Sequence, residues 1–312
     1  MNRMWFAVFF LIGSVKAQPV KREWPSPPGC IQLYDSLFID QTEIFNSHYL
    51  EFIYTVKRDS GNDFFNKMLP DTTVWDEFDS TGVAKAYYLR SPDLRFYPVV
   101  GVSFEQASAF CAWRSLAVTR SWREKNSDPD QQVEFNFRLP NEVEWIAAAS
   151  ANLDTAVYSY GLKEYVIRST LLDDSKYYWQ QIKNKGDMTF SEFEYIFNRH
   201  RRYGREPFFN CLKNFFNYFQ YGAMQPLSTI DQSNSMGIFK ERLVYNYRSK
   251  ANDYGMSAAI GNVAEMIDKK GLAKGGSWAH TLESCKISKW QYYKRPTAWL
   301  GFRCVCVVRV LN

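Results

Sequence analysis

The chain has 312 residues, 46% of them hydrophobic and 23% charged, and a net charge of +5. That balance supports a packed core sized for one large domain or two small ones. Its basic residues are scattered, apart from Arg199-His200-Arg201-Arg202, which reads as a solvated face and excludes a nucleic-acid footprint.

The chain begins with Asn2-Arg3, then the apolar run "MWFAVFFLIG" (4–13), then Val15-Lys16-Ala17. The run is too short to span a bilayer, and the pattern predicts a signal peptide over residues 1–17 that is cleaved before Gln18. No later stretch reaches 18 apolar residues, so no transmembrane segment is expected. The mature chain is expected in an exported, disulfide-permitting compartment. No cysteine stands at the cleavage boundary to carry a lipid anchor.

Residues 18–29 are Pro-rich and predict an extended lead-in. The segment 30–59 starts strand-like and turns helical, with Ile44, Tyr49 or Leu50, and Phe52-Ile53 on one face. Residues 60–97 are rich in turns. "PVVGVS" (98–103) reads as a short strand, and Ser103 as the N-cap of a helix over 104–118. Phe104, Ala107, Cys111 and Leu116 are expected on that helix's buried side. "FRLPNEVEWIAAAS" (137–150) gives a strand end and a second helix from Asn141. Residues 162–245 are aromatic and charged, with helical stretches expected near 174–184 and 189–202, and short strands with glycine turns follow. Many short elements without a fixed repeat predict an irregular α+β fold.

Six cysteines are present, at 30, 111, 211, 285, 304 and 306, with only three histidines. No CxxC pair occurs, so zinc is not expected. An exported chain with an even cysteine count favours disulfides, whose pairing the spacing leaves open.

Seven stretches then occur in order: "FIDQTEIFNSHYLEFI", "YPVVGVSFEQASAFCAW", "FRLPNEVEW", "YSYG", "NDYGMSAAIGNVAEM", "KGGSW" and "WLGFRCV". Together they resemble the formylglycine-generating enzyme (sulfatase-modifying factor) family, across about residues 34–307. The resemblance implies an irregular, C-type-lectin-like α+β fold over residues 30–312, with 162–245 as a variable insertion. "LPDTTVW" (69–75), "NDYG" and "GNVAE" further resemble the gliding-motility and type 9 secretion branch of Bacteroidota. This chain departs from that branch in being short and lacking a lipobox.

The resemblance also carries site residues. The family's copper(I) is held by two thiolates five residues apart after the GGS. Aligned on Gly275-Gly276-Ser277, those positions are His280 and Cys285, so one thiolate is missing and copper is not expected. Ala264 stands where the family has tryptophan. The cysteine pairing implied by the family maps to Cys111–Cys304, a closure contributing roughly 4–5 kcal/mol in the chain-entropy account. The family's calcium ligands map to Gly261, Val263 and Glu265, but Ala258 replaces the upstream asparagine, which leaves calcium open and weakened. Arg303 is expected at the core edge, bonded to backbone carbonyls.

The reading that follows is a catalytically inactive member of the family. It would act as a periplasmic scaffold or binding subunit with protein partners at the outer membrane, of the type 9 secretion or gliding kind. Two alternatives stand beside it. One is altered thiol or metal chemistry at Cys285 and His280; the other is a lectin-like or peptide-binding module.

Overall fold

The computed structural model describes residues 24–311, except 77, 80–81, 127–131, 157, 160, 162–250 and 281–282. The expected signal segment, the lead-in before Trp24, Cys211 and the insertion 162–245 lie outside the described residues. The first half runs β1 (Cys30–Tyr34), β2 (Leu37–Asp40), α1 (Asn46–Asp59), α2 (Gly61–Met68), α3 (Val83–Tyr87), α4 (Phe104–Lys125), β3 (Gln132–Arg138) and α5 (Glu142–Ser150). The second half consists of short strands: β4 (Ala264–Met266), β5 (Leu272–Lys274), β6 (Gln291–Tyr292), β7 (Leu300–Gly301) and β8 (Val305–Leu311).

These strands make two four-stranded sheets, ordered β1-β2-β8-β3 and β6-β5-β4-β7. In the first, the C-terminal β8 lies antiparallel between β2 and β3, with Phe38 and Phe137 both opposite Cys306. In the second, only the β4–β7 pair is parallel. Val133, Phe135 and Phe137 are buried on alternate positions of β3, the period-2 pattern of a sheet with one face on a core.

Helix α1 buries Tyr49, Phe52, Ile53 and Val56, at the i, i+3, i+4, i+7 spacing of one helical face. Helix α4 is started by Ser103 and Gln106, whose side chains cap each other's backbone N–H in a reciprocal box. It covers β3, where Ser115 and Thr119 accept from the Phe137 and Phe135 N–H groups, and it buries Ala107, Phe110 and Cys111. The rings of Tyr49, Phe52, Phe110 and Phe302 meet at centroid separations of 5.4–5.9 Å. Burial of each such side chain contributes about 1.5–3 kcal/mol.

Two expectations are corrected. The run 98–103 is not a strand; it makes only an isolated bridge between Pro98 and Phe45. Its valines are buried as expected of a β-branched run, but Gly101 has φ of +75° and its Cα lies against the Asp71 carbonyl, which breaks extended pairing. Leu116 is 70% exposed. It lies five residues beyond Cys111, about 140° around the helix from it, and so leaves the buried stripe.

Candidate functional site

The loop after β5 holds the residues at which the family's chemistry would be sought. Gly275 and Gly276 have φ of +85° and +68°, a region L-residues rarely adopt. A Cβ on Gly275 would lie 2.5 Å from the Ala259 carbonyl, and one on Gly276 would lie 2.1 Å from Cys285 Sγ. The glycines therefore admit the turn at 258–262 on one side and the Cys285 side chain on the other. The Gly261 N–H donates to the Gly275 carbonyl and the Trp278 N–H to the Asn262 carbonyl, both at 3.0 Å. Gln291 closes the loop: its Oε1 accepts from the Gly276 N–H at 2.9 Å and its Nε2 donates to the Ser284 carbonyl at 2.6 Å.

Within this frame Ser277 and His280 form a pair, Oγ to Nδ1 at 2.6 Å, and Ser277 Oγ also accepts from the Ala279 N–H. Ser277 and Cys285 have no exposed surface, whereas His280 is half-buried with its ring edge-on to Trp299. Burial lowers the His280 imidazole to about 4, so it is neutral at physiological pH. A bis-thiolate copper(I) site does not fit this set. One position is an imidazole whose Nδ1 is engaged by Ser277, and the remaining thiol is sealed against the Gly276 backbone. Among the described residues no three His, Cys, Asp or Glu side chains are grouped to hold a metal ion.

Gly261, Val263 and Glu265 follow one another into β4. Glu265 is fully buried and its carboxylate is already engaged. Arg303 grips both oxygens, Nε to Oε2 at 2.6 Å and Nη2 to Oε1 at 2.5 Å, while Trp145 Nε1 donates to Oε2 at 2.7 Å. Arg303 is itself fully buried rather than at the core edge, and donates to the carbonyls of Asp40 and Ser257. Calcium needs six to eight oxygens. Here the one carboxylate faces a guanidinium and Ala258 offers no side-chain donor, so the residues present do not fit calcium.

The Cys111 and Cys304 sulfurs lie 3.4 Å apart, both buried. The pairing implied by the resemblance brings these two thiols into contact, but the expected disulfide is not formed in this structure. The separation is that of two touching thiols rather than the ~2.05 Å of a bond.

Three polar features went unpredicted. Glu43 is 1% exposed, accepts from Asn262 Nδ2, and is pushed up to about 8, chiefly by burial. Asp40 is bound by Arg114 at 2.8 Å and accepts from the Cys304 N–H. The two acids and Arg114 border a groove of about 700 Å³ between α1 and α4 that also includes Glu51, Trp113 and Trp122. The signal was present in "FIDQTEIF", where a polar stretch with two acids is closed on both sides by apolar pairs. Third, Lys274 has no exposed side-chain surface; it pairs with Glu142 at 3.2 Å and lies over the Trp145 and Trp290 rings.

The two sheets and the glycine-built loop define an α+β domain of the formylglycine-generating fold. The chain belongs to the family described as the sulfatase-modifying factor enzyme 1-like domain, whose family model matches residues 7–308. Comparison with curated proteins gave no significant match. Among solved structures it is similar to Treponema denticola variable protein 1, with 16% identity, a TM-score of 0.40, and coverage of 90% of this chain and 92% of that one. It is also similar to PvdO from Pseudomonas aeruginosa, with 12% identity, a TM-score of 0.39, and coverage of 87% and 80%. A third likeness is to CarF, with 13% identity, a TM-score of 0.40, and coverage of 88% and 87%.

Proposed function

We propose that the chain is a catalytically silent member of its family. In this reading it serves as an exported binding subunit of a cell-envelope complex, of the type 9 secretion or gliding kind. The observation that carries the reading is the state of the cysteine-pair position. His280 occupies one place, bonded to Ser277, and the Cys285 sulfur occupies the other, closed in by Gly276. Copper(I) held by two thiolates is the family's way of activating oxygen, and one of those thiolates is missing. Export is supported by the apolar run at 4–13 and the small residues before Gln18. No helix among the described residues is long and apolar enough to cross a membrane. The Cys111–Cys304 contact is assigned the structural disulfide of the exported form.

Altered chemistry at Cys285 and His280 is the weaker reading. A nucleophilic thiol needs access and a lowered pKa, and Cys285 has no exposed surface. A general base works best with a pKa near the operating pH, and His280 is held at about 4.

The test is purification of the tagged full-length protein from native envelopes, with identification of what accompanies it. Stoichiometric recovery with outer-membrane secretion or gliding components is the expected result. Recovery of the protein alone would overturn the subunit role.

A further inference from the structure

Strand β6 forms the outer edge of the second sheet, with β5 as its neighbour among the described residues. Tyr292 stands opposite Leu272, and the next residue, Tyr293, donates its N–H to the Gly271 carbonyl. In an antiparallel ladder these alternate, so the N–H and C=O of Tyr292 point away from β5. An edge of this kind can accept another strand.

The side chains on this edge are unusual for a solvated one. Trp290 is 43% and Tyr292 71% exposed, with their rings edge-to-face at 6.5 Å. Trp290 is already fixed in place. Its Nε1 donates to Glu142 Oε1, and the buried Lys274 Nζ, paired with that same carboxylate, lies 5.7 Å from the ring centroid. An aromatic group locked before binding loses little further freedom when it is covered. Beside it Lys289, Lys294 and Arg295 are exposed, and none has an ion-pair partner among the described residues. No Asp or Glu occurs anywhere from 286 to 300. An edge with outward main-chain groups, a preset tryptophan, a tyrosine and three cations that have no ion-pair partner among the described residues is complementary to an extended, acidic polypeptide.

We infer that the β6 edge, from Lys289 to Arg295, docks an extended acidic segment of a protein partner. The segment adds a strand beside Tyr292 and sets its carboxylates against the three cations. The inference rests on the binding-subunit reading and names the surface through which it acts. Main-chain pairing is what favours a polypeptide over an anionic glycan, which has no ladder of N–H and C=O groups to offer.

The test places a photo-crosslinking phenylalanine analogue at position 292 of the full chain in native envelopes, with the same analogue at Tyr54 on α1 as control. The crosslinked peptide is sequenced, synthesised, and titrated against the purified wild type, a K289E/K294E/R295E variant and Y292A, each checked for an unchanged melting temperature. The expected result is an acidic segment captured from 292 and not from 54. Its binding should weaken at least tenfold on charge reversal and fall steeply with added salt. An adduct with glycan, with lipid or with a non-acidic segment would overturn the proposal, as would binding that charge reversal changes by less than twofold. If wild-type protein recovers partners but 292 captures nothing, the surface is wrong and the subunit role stands. If wild-type protein recovers no partner at all, the subunit role fails, and this inference with it.

Discussion

Glu43 sits 1% exposed beside Asn262, and its carboxyl is raised from an ordinary value near 4.5 to about 8, with burial as the leading cause and the neighbouring Glu265 adding to it. The folded chain therefore holds this proton through a pH window in which the unfolded chain has released it. Stability is then lost as pH rises from about 4.5 to about 8 and levels off above, at up to about 1.4 kcal/mol per pH unit inside the window. Replacement E43Q removes the ionisation, so the melting temperature of the variant should gain on wild type as pH rises from 5 to 8. A difference that stays constant over that range would contradict the assignment. Arg303 makes the opposite case, a charge that must stay. It holds both oxygens of the fully buried Glu265, so R303A leaves a core carboxylate without its counter-charge and with Trp145 Nε1 still donating to it. The expected cost is about 3–5 kcal/mol by denaturant unfolding, and a loss below about 1 kcal/mol would argue that the pair is not ionised as described.

Cys111 on α4 and Cys304 just before β8 are 193 residues apart in sequence and in van der Waals contact in space. Oxidation of that pair closes a very long loop, worth roughly 4–5 kcal/mol in the chain-entropy account before any native strain is subtracted. Protein purified without reductant should therefore carry this bond by peptide mapping, and both reductant and C111S/C304S should lower its melting temperature. Mapping that finds both thiols unmodified in exported protein would overturn the pairing. Reading the elements from sequence succeeded where a local signal agreed with the packing. Ser103 was readable as an N-cap because a short polar side chain preceding a helix satisfies its first free N–H groups; the second helix was expected from Asn141, which caps it in the same way. The valines at 99–102 misled, because β-branched residues announce burial, and the positive φ at Gly101 decided that burial comes without a strand. Leu116 misled because its apolar character outweighed its place about 140° around α4 from Cys111, off the buried stripe.

At the scale of the molecule, the described residues are built around contacts between residues far apart in the chain, and these were the least readable part of the sequence. The pairing of Glu265 with Arg303 and the seating of Lys274 between Trp145 and Trp290 each join segments that local periodicity treats separately. The site's residue types could be aligned through the order of seven short stretches, yet their engagement could not. Glu265 is committed to a guanidinium and His280 to a serine, and only the folded chain shows it. The molecule that results keeps the family's frame and buries Ser277 and Cys285, while aromatic and basic groups remain outward on the β6 edge. The most direct measurement of this account is a copper(I) titration against a chromophoric chelator, comparing the reduced wild-type protein with C285S. The account predicts that the two withdraw copper from the chelator equally, without a stoichiometric site. One equivalent held tightly by wild type and lost in C285S would show a working metal centre at Cys285 and contradict the silent assignment.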